Sequence, residues 1–130
     1  GSLAPQRIET AIGRDHFIEQ IAAVGDRRKF VSALIVPAFD VLEAWADDEG
    51  IRYDSRRDLV THPAVLSHFE ERIKRQSDEL AGYESVKAFT LLEREFSQES
   101  REITPTQKIR RRIVEQSFQA EIEAMYAAVS

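Results

Sequence analysis

The apolar positions of the chain fall into stretches with helical spacing and stretches that are nearly continuous. Near the start, Pro5 suits the first turn of a helix, and Ile8 and Ile12 share one helical face. Gly13 can end this helix with a left-handed cap, so a short helix is predicted over residues 3–11. We expect its role to be structural.

Two nearly continuous apolar segments follow and predict a β-hairpin. Residues 17–24 form a first strand that ends at the turn pair Gly25-Asp26, and a charged turn then leads to residues 30–36. The second segment is rich in β-branched residues, as expected of a strand that is buried on both faces. Pro37 ends it, because proline cannot donate a hydrogen bond to a sheet.

The next apolar positions predict an amphipathic helix. Asp40 has the chemistry of an N-cap, Glu43 stands at the spacing of a capping box, and Gly50 is the natural stop. The buried stripe of this helix comprises Val41, Leu42, Trp45 and Ala46.

A second amphipathic helix is predicted after a short turn at residues 56–60. Pro63 suits its first position and Gly82 its end. Its apolar face comprises Val65, Leu66, Phe69, Ile73 and Leu80.

The last third of the chain predicts a strand, a polar loop and a long helix. The strand covers residues 86–92 and the loop residues 93–102. Residues 104–106 (Thr-Pro-Thr) favour turn geometry, because proline fixes its own φ angle and disfavours helix in the residue before it. We therefore expect the helix to begin just afterwards, with Lys108 in its first turn. Its apolar face comprises Ile109, Ile113, Val114, Phe118, Ile122, Met125 and Tyr126.

These elements predict a small two-layer α+β domain. Its sheet has about three strands and is mainly antiparallel, helices pack against it, and a long helix ends the chain. Residues 3–130 form one unit without repeats or linkers, whereas Gly1-Ser2 resembles a cloning remnant.

Composition narrows the possible function classes. The chain of 130 residues, 42% hydrophobic and 32% charged, has the size of one compact domain. No apolar run could span a bilayer and no secretory signal opens the chain, while the absence of cysteine excludes disulfides and is compatible with a reducing compartment. A net charge of −5 argues against a general nucleic-acid binder, whose binding face is broadly basic.

Most familiar catalytic patterns are missing from the sequence. There is no G-x-S-x-G elbow and no glycine-rich phosphate loop. His16, His62 and His68 lack the spacing and carboxylate partners of a metal site, so we predict no metal ligands and read them as structural or solvated.

The remaining candidate is the basic segment 108–112, which carries four cations and no acid. Cations at a helix N-terminus are electrostatically unfavourable, so this placement hints at an anionic partner. The alternative is a solvated surface, which is the common role of such charge runs.

Residues 104–112, Thr-Pro-Thr-Gln-Lys-Ile-Arg-Arg-Arg, resemble the lysine motif near the end of acyl-adenylate-forming enzymes, in the form used by long-chain fatty acid–CoA ligases. Residues 3–9, 24–37 and 80–87 are similar to three further segments of the same C-terminal domain, in the same order. Two positions depart from the family pattern. Gln107 stands where the wider superfamily often has glycine, and Gly82 where proline or another residue is common.

The resemblance implies a mobile C-terminal domain whose partner is the N-terminal adenylation domain of the same chain. The parent enzyme would use ATP and Mg²⁺ to convert a fatty acid into an acyl-adenylate, and coenzyme A (CoA) would then form the thioester. Lys108 would catalyse only the first step. Arg110, Arg111 and Arg112 would hold the domain interface or attract CoA phosphates, with Lys29 and Arg28 as weaker candidates for the same phosphates.

The resemblance further implies that this domain alone is inactive and binds none of these molecules tightly. It implies a cytoplasmic enzyme, and it leaves open a peripheral association of the parent with the inner membrane face. A non-catalytic α+β protein-interaction module is the main alternative function. A regulatory small-molecule-binding domain is a weaker one, because no glycine-rich ligand turn joins a strand to a helix.

Overall fold

A three-stranded sheet organises the domain. The computed structural model describes residues 4–129, so Gly1, Ser2 and the predicted start of the first helix at Leu3 lie outside the described residues. The elements in chain order are α1 (Pro5–Gly13), β1 (Ile18–Val24), β2 (Val31–Pro37), α2 (Phe39–Asp48), α3 (Arg56–Thr61), α4 (Pro63–Gln76), a 3₁₀ turn (Gly82–Glu84), β3 (Val86–Leu91), α5 (Arg111–Ser117) and α6 (Gln119–Val129).

The central strand is β2, which pairs with β1 on one side and β3 on the other. The β1–β2 hairpin is antiparallel, with Val24 opposite Ser32, and the predicted hairpin is thereby confirmed. The second pair is parallel, because α2, α3 and α4 carry the chain away before β3 returns in the direction of β2. The α+β class and the three strands are confirmed, but the sheet is mixed rather than mainly antiparallel.

All seven residues of β2 are buried, so helices cover both faces of the sheet at its centre. This agrees with the nearly continuous apolar run in its sequence. α1 packs against β1, and α6 packs against β2 and β3. The core members with almost no exposed surface include Ile8, Ile12, Leu34, Ile35, Leu42, Phe69 and Val114.

Three predicted helix boundaries in the first two thirds of the chain are wrong. Gly13 is the last residue of α1 and has no left-handed φ angle, so it does not cap the helix in the predicted way. α2 begins at Phe39 behind Ala38, so Asp40 lies in the first turn instead of capping it, where its charge still suits the helix dipole. α4 ends at Gln76, where the hydroxyl of Ser77 donates to the carbonyl of Ile73 at 2.6 Å. Gly82 therefore starts the 3₁₀ turn rather than ending the helix.

The short turn predicted at residues 56–60 is instead a helix, α3. The hydroxyl of Ser55 accepts the backbone N–H of Asp58 at 3.2 Å, which is an ordinary N-cap. His62 then caps α4, because its Nδ1 accepts the N–H of Ala64 at 3.1 Å. This contact gives His62 a structural role.

The long C-terminal helix is present as two segments that meet at Phe118. The backbone of Phe118 departs from helical geometry (φ −117°, ψ 31°), yet its N–H still bonds the carbonyl of Val114 at 3.0 Å. Ile122 likewise bonds Phe118 at 3.0 Å. The break is thus a distortion within one apolar stripe, whose buried members are Val114, Phe118, Ile122 and Met125.

Candidate functional site: the lysine hairpin

Residues 103–109 form a small closed loop, which we call the lysine hairpin. Ile103 and Ile109 pair as an antiparallel bridge, and the N–H of Thr104 bonds the carbonyl of Lys108 at 2.9 Å. A turn closes inside it, with the N–H of Gln107 on the carbonyl of Thr104 at 2.8 Å. Gln107 itself has a left-handed backbone (φ +66°), as in three-residue hairpin loops that end in one such residue.

The left-handed conformation of Gln107 is one that glycine, the residue expected here from the resemblance, adopts without steric cost. Left-handed φ angles cost most residues about 1–2 kcal/mol, and glycine escapes that cost. This chain holds a glutamine there by the hydrogen bonds on either side of it.

The prediction that Lys108 lies in the first turn of a helix is wrong. The hairpin pairing holds Lys108 and Ile109, and the N–H of Arg110 bonds the carbonyl of Glu102 at 2.8 Å, so α5 begins only at Arg111. The unfavourable helix-dipole argument therefore does not apply to Lys108. It applies to Arg111 and Arg112, which occupy a first turn without an acidic residue.

The backbone of Lys108 is fixed while its side chain is not. The hydroxyl of Thr104 accepts the N–H of Lys108 at 3.0 Å and lies 3.1 Å from the hydroxyl of Thr106. Lys108 is exposed, and none of the side chains and backbone groups that the structure describes forms a hydrogen bond or ion pair with its ammonium group. Such a cation is available to an external anionic group.

The lysine hairpin borders an open depression of about 540 Å³. Residues of α1 and β1 line it as well, together with Arg111 of α5. Its lining comprises Gln6, Glu9, Thr10, Glu19, Gln20, Ile21, Gln107, Lys108, Ile109 and Arg111. The wall is mostly polar, so the depression can face a hydrated and charged molecule.

Arg111 is committed to an internal ion pair. Its guanidinium donates to Glu9 at 2.6 and 3.2 Å and to the carbonyl of Ala23 at 2.7 Å. Glu9 in turn accepts the N–H of Ala23 at 2.8 Å. This network joins α5 to α1 and β1. Arg111, one of the three arginines that we predicted to meet the other domain or CoA, is therefore already paired within the domain.

Two of the other predicted cations line a second groove. Arg28 and Arg112 both line it, at the tip of the β1–β2 hairpin and at the start of α5. Arg28 pairs with Glu123 on α6, which lowers the pKa of that carboxyl, and its guanidinium lies 4.7 Å from the ring centre of Tyr126. Lys29 and Arg110 are exposed. The structure thus brings Arg28 and Arg112 together in a groove that Lys108 does not line.

Sequence reasoning missed Glu102, which it assigned to a polar loop. Glu102 is fully buried, and Arg94 donates to both of its carboxylate oxygens at 2.8 Å. These hydrogen bonds hold the pKa of Glu102 below its usual value, although burial opposes them. Phe96, an apolar residue within the otherwise polar loop and itself buried, is the sequence signal that the loop is anchored.

The described part of the chain has no cluster of three His, Asp or Glu side chains that could hold a metal ion. Nor is any helix within residues 4–129 long and apolar enough to cross a membrane. His68 packs against Trp45 with ring centres 4.1 Å apart, and both contribute to packing.

Solved structures share this architecture. The chain superposes on the adenylation domain of a carboxylate reductase from Mycobacterium chelonae with a TM-score of 0.77, covering 96% of this chain and 18% of that one at 23% identity. The adenylation domain of the carboxylic acid reductase from Segniliparus rugosus, in complex with AMP, gives the same score. At these identities the likeness establishes the fold.

Sequence comparison defines the family. The chain belongs to the AMP-binding enzyme C-terminal domain family, whose model matches residues 2–130. It is 29% identical to long-chain-fatty-acid–CoA ligase FadD15 of Mycobacterium tuberculosis, over 96% of this chain and 21% of that protein. It is 35% identical to the peroxisomal long chain acyl-CoA synthetase 6 of Arabidopsis thaliana, over 95% and 18% respectively. The chain thus spans about a fifth of the length of these relatives.

Proposed function

We propose that this chain is the lysine-bearing C-terminal domain of a long-chain fatty acid–CoA ligase. In the parent enzyme a fatty acid carboxylate attacks the α-phosphorus of ATP, which gives acyl-adenylate and releases pyrophosphate. The thiol of CoA then attacks the acyl carbon and releases AMP. The observation that carries the proposal is the free ammonium of Lys108 on a fixed backbone at the edge of an open polar depression.

Lys108 acts in the first step. Its cation contacts the attacking carboxylate and the phosphate oxygens, so it aligns the two reactants and offsets the negative charge that develops between them. The hydrogen bonds of Thr104 keep the Lys108 backbone from moving with the side chain, which favours a defined position.

The second step uses a different face of the same domain. After rotation, Lys108 leaves the reacting atoms, and the groove between Arg28 and Arg112 meets the phosphates of CoA. Lys29 and Arg110 add positive charge nearby, whereas Arg111 stays in its pair with Glu9. Lys108 and this groove belong to two different depressions, which supports a division of labour between the two steps.

ATP and the acyl chain bind mainly to the large adenylation domain in this proposal. The 130-residue chain alone is therefore expected to form neither acyl-adenylate nor acyl-CoA. Turnover by the purified chain would contradict this assignment.

The test compares Lys108→Ala with the unaltered enzyme in the longer chain that also carries the adenylation domain. Fatty-acid-dependent ATP–pyrophosphate exchange should fall by about a hundredfold to a thousandfold, as for loss of one charge-stabilising group. Conversion of supplied acyl-adenylate to acyl-CoA should persist. Lys87→Ala is the matched control, because Lys87 is an exposed lysine on β3 outside the site.

Unchanged exchange in Lys108→Ala would contradict the proposal. The non-catalytic interaction module would then be the better description of this domain.

A further inference from the structure

The lysine hairpin is tied to the domain through one residue at its base. The N–H of Glu102 bonds the carbonyl of Ser97 at 2.9 Å, and its own carbonyl accepts the N–H of Arg110 at 2.8 Å. The first arm of the hairpin thus continues directly from Glu102, and the second arm is hydrogen-bonded to the Glu102 carbonyl through Arg110. A shift of Glu102 is transmitted to both of them.

The side chain of Glu102 is held as firmly as its backbone. Besides the two hydrogen bonds from Arg94, it accepts the N–H of Ser97 at 3.2 Å. The guanidinium of Arg94 lies 4.7 Å from the ring centre of Phe118, at the junction of α5 and α6. This ion pair therefore connects the hairpin base to the last helices.

The loop that contains Arg94 and Phe96 is also hydrogen-bonded to β1, through Gln20. The N–H of Phe96 donates to the side chain of Gln20 at 2.7 Å, and the Gln20 amide donates to the carbonyl of Phe96 at 3.3 Å. Gln20 also lines the depression beside Lys108. The loop that carries Arg94 is thus fixed to a residue of the depression that Lys108 also lines.

Backbone strain on both sides of Glu102 makes this anchoring necessary. Arg101 and Gln107 have left-handed φ angles of +61° and +66°, which ordinary side chains adopt at a cost. Such conformations persist only where the surroundings enforce them. Without the Glu102 carboxylate, the segment can relax and carry Lys108 with it.

We propose that Glu102, bound by Arg94, is a positioning residue that holds the lysine hairpin in the geometry required for adenylation. The inference rests on the proposed role of Lys108. It predicts that loss of the Glu102 carboxylate impairs the step that uses Lys108 and spares the step that does not.

The variant that tests this is Glu102→Gln, which keeps the shape of the side chain and removes its charge. In the longer chain with the adenylation domain, ATP–pyrophosphate exchange should fall about tenfold to a hundredfold, as expected from a displacement of about 1 Å. Thiolysis of supplied acyl-adenylate should stay within about twofold, because a misplaced lysine does not affect a step that omits it.

Asp15→Asn is the matched control. Asp15 is also buried and accepts hydrogen bonds from Arg72 at 2.7 Å and from the N–H of Phe17 at 2.9 Å. It joins the loop between α1 and β1 to α4 rather than supporting the hairpin. General destabilisation should be similar in the two variants. Only Glu102→Gln should separate the two steps.

Amide hydrogen exchange in the 130-residue chain gives a second test, which measures the stability of the hairpin hydrogen bonds and does not depend on activity. Glu102→Gln should accelerate exchange at least tenfold at residues 104, 107, 108 and 110, whose N–H groups are hydrogen-bonded in and beside the hairpin. Asp15→Asn should leave these amides unchanged. If Glu102→Gln does not fold, Arg94→Lys keeps the cation, loses the two-pronged contact and should give the same pattern.

Equal losses in both steps, or unchanged exchange at the hairpin amides, would overturn the positioning role. Lys108→Ala separates that result from failure of the proposed function. If Lys108→Ala abolishes adenylation while Glu102→Gln does not, Glu102 has no positioning role and Lys108 keeps its own.

Discussion

Arg111 and Glu9 form an ion pair of 2.6 Å whose two partners also bond the same residue of β1, Ala23. Both side chains are largely withdrawn from water, with 23% and 14% of their surface exposed. One arginine of a basic sequence run thus serves as a crosslink between α5, α1 and the sheet.

Arg111→Ala should destabilise the domain by about 2–3 kcal/mol, because it removes charge-assisted hydrogen bonds and leaves Glu9 without its cation. Urea unfolding of the 130-residue chain measures the difference. Arg110→Ala, at an exposed neighbour, should change the free energy of unfolding by less than about 0.5 kcal/mol. If Arg111→Ala lowers the free energy of unfolding as little as Arg110→Ala does, the Arg111 network does not stabilise the domain.

Gln107→Gly should leave the domain equally stable or up to about 1 kcal/mol more stable, because relief of the left-handed conformation outweighs the added backbone entropy. The same change at the exposed helical residue Gln116 should cost about 1 kcal/mol. Thermal unfolding of both variants tests the contrast. A marked loss of stability in Gln107→Gly would mean that the glutamine side chain itself supports the hairpin.

The Glu102 carboxyl should make stability depend on pH. Hydrogen bonds from Arg94 lower its pKa in the folded state, so its stabilising contribution is complete above about pH 5 and is lost as the pH falls through the folded pKa. The free energy difference between unaltered chain and Glu102→Gln should therefore shrink on acidification from pH 7 to pH 3. If this difference in the free energy of unfolding stays constant from pH 7 to pH 3, the ionised carboxylate of Glu102 is not the form that stabilises the domain.

Arg112→Ala should raise the KM for CoA severalfold in the longer enzyme, because it removes a cation from the groove that Arg28 shares. ATP–pyrophosphate exchange should be unaffected, since that step does not involve CoA. Arg75→Ala, which removes an exposed arginine from α4, is the control. If the KM for CoA is unchanged in Arg112→Ala, this groove does not bind CoA in the second step.

The sequence predicted most of the architecture because the core is periodic. The apolar run of β2 indicated a strand buried on both faces, and the turn pair before Arg27 indicated the hairpin. The parallel pairing of β3 was not predictable in this way, because an alternating hydrophobic pattern is the same for a parallel and an antiparallel strand. It depends on the path of three intervening helices.

The candidate site was predicted only in part. The motif identified Lys108, but a hydrogen-bonded loop replaced the expected helix start, because long-range pairing of Ile103 with Ile109 outweighs local helix propensity. The pairing of Glu102 with Arg94 was not predicted, because an ion pair between two loop residues produces no periodic pattern in the sequence. Arg111 looked equivalent to its neighbours because its partner Glu9 lies 102 positions away.

Closure of the lysine hairpin on itself makes it separable from the helix that follows. Its internal bonds all lie between residues 103 and 109, whereas α5 is secured elsewhere, through Arg111 and Val114. A loop of this kind can be exchanged between relatives as a cassette, with Glu102 and Arg110 as its junctions. Chimeras built at these junctions would compare the loops of different enzymes on one unchanged scaffold.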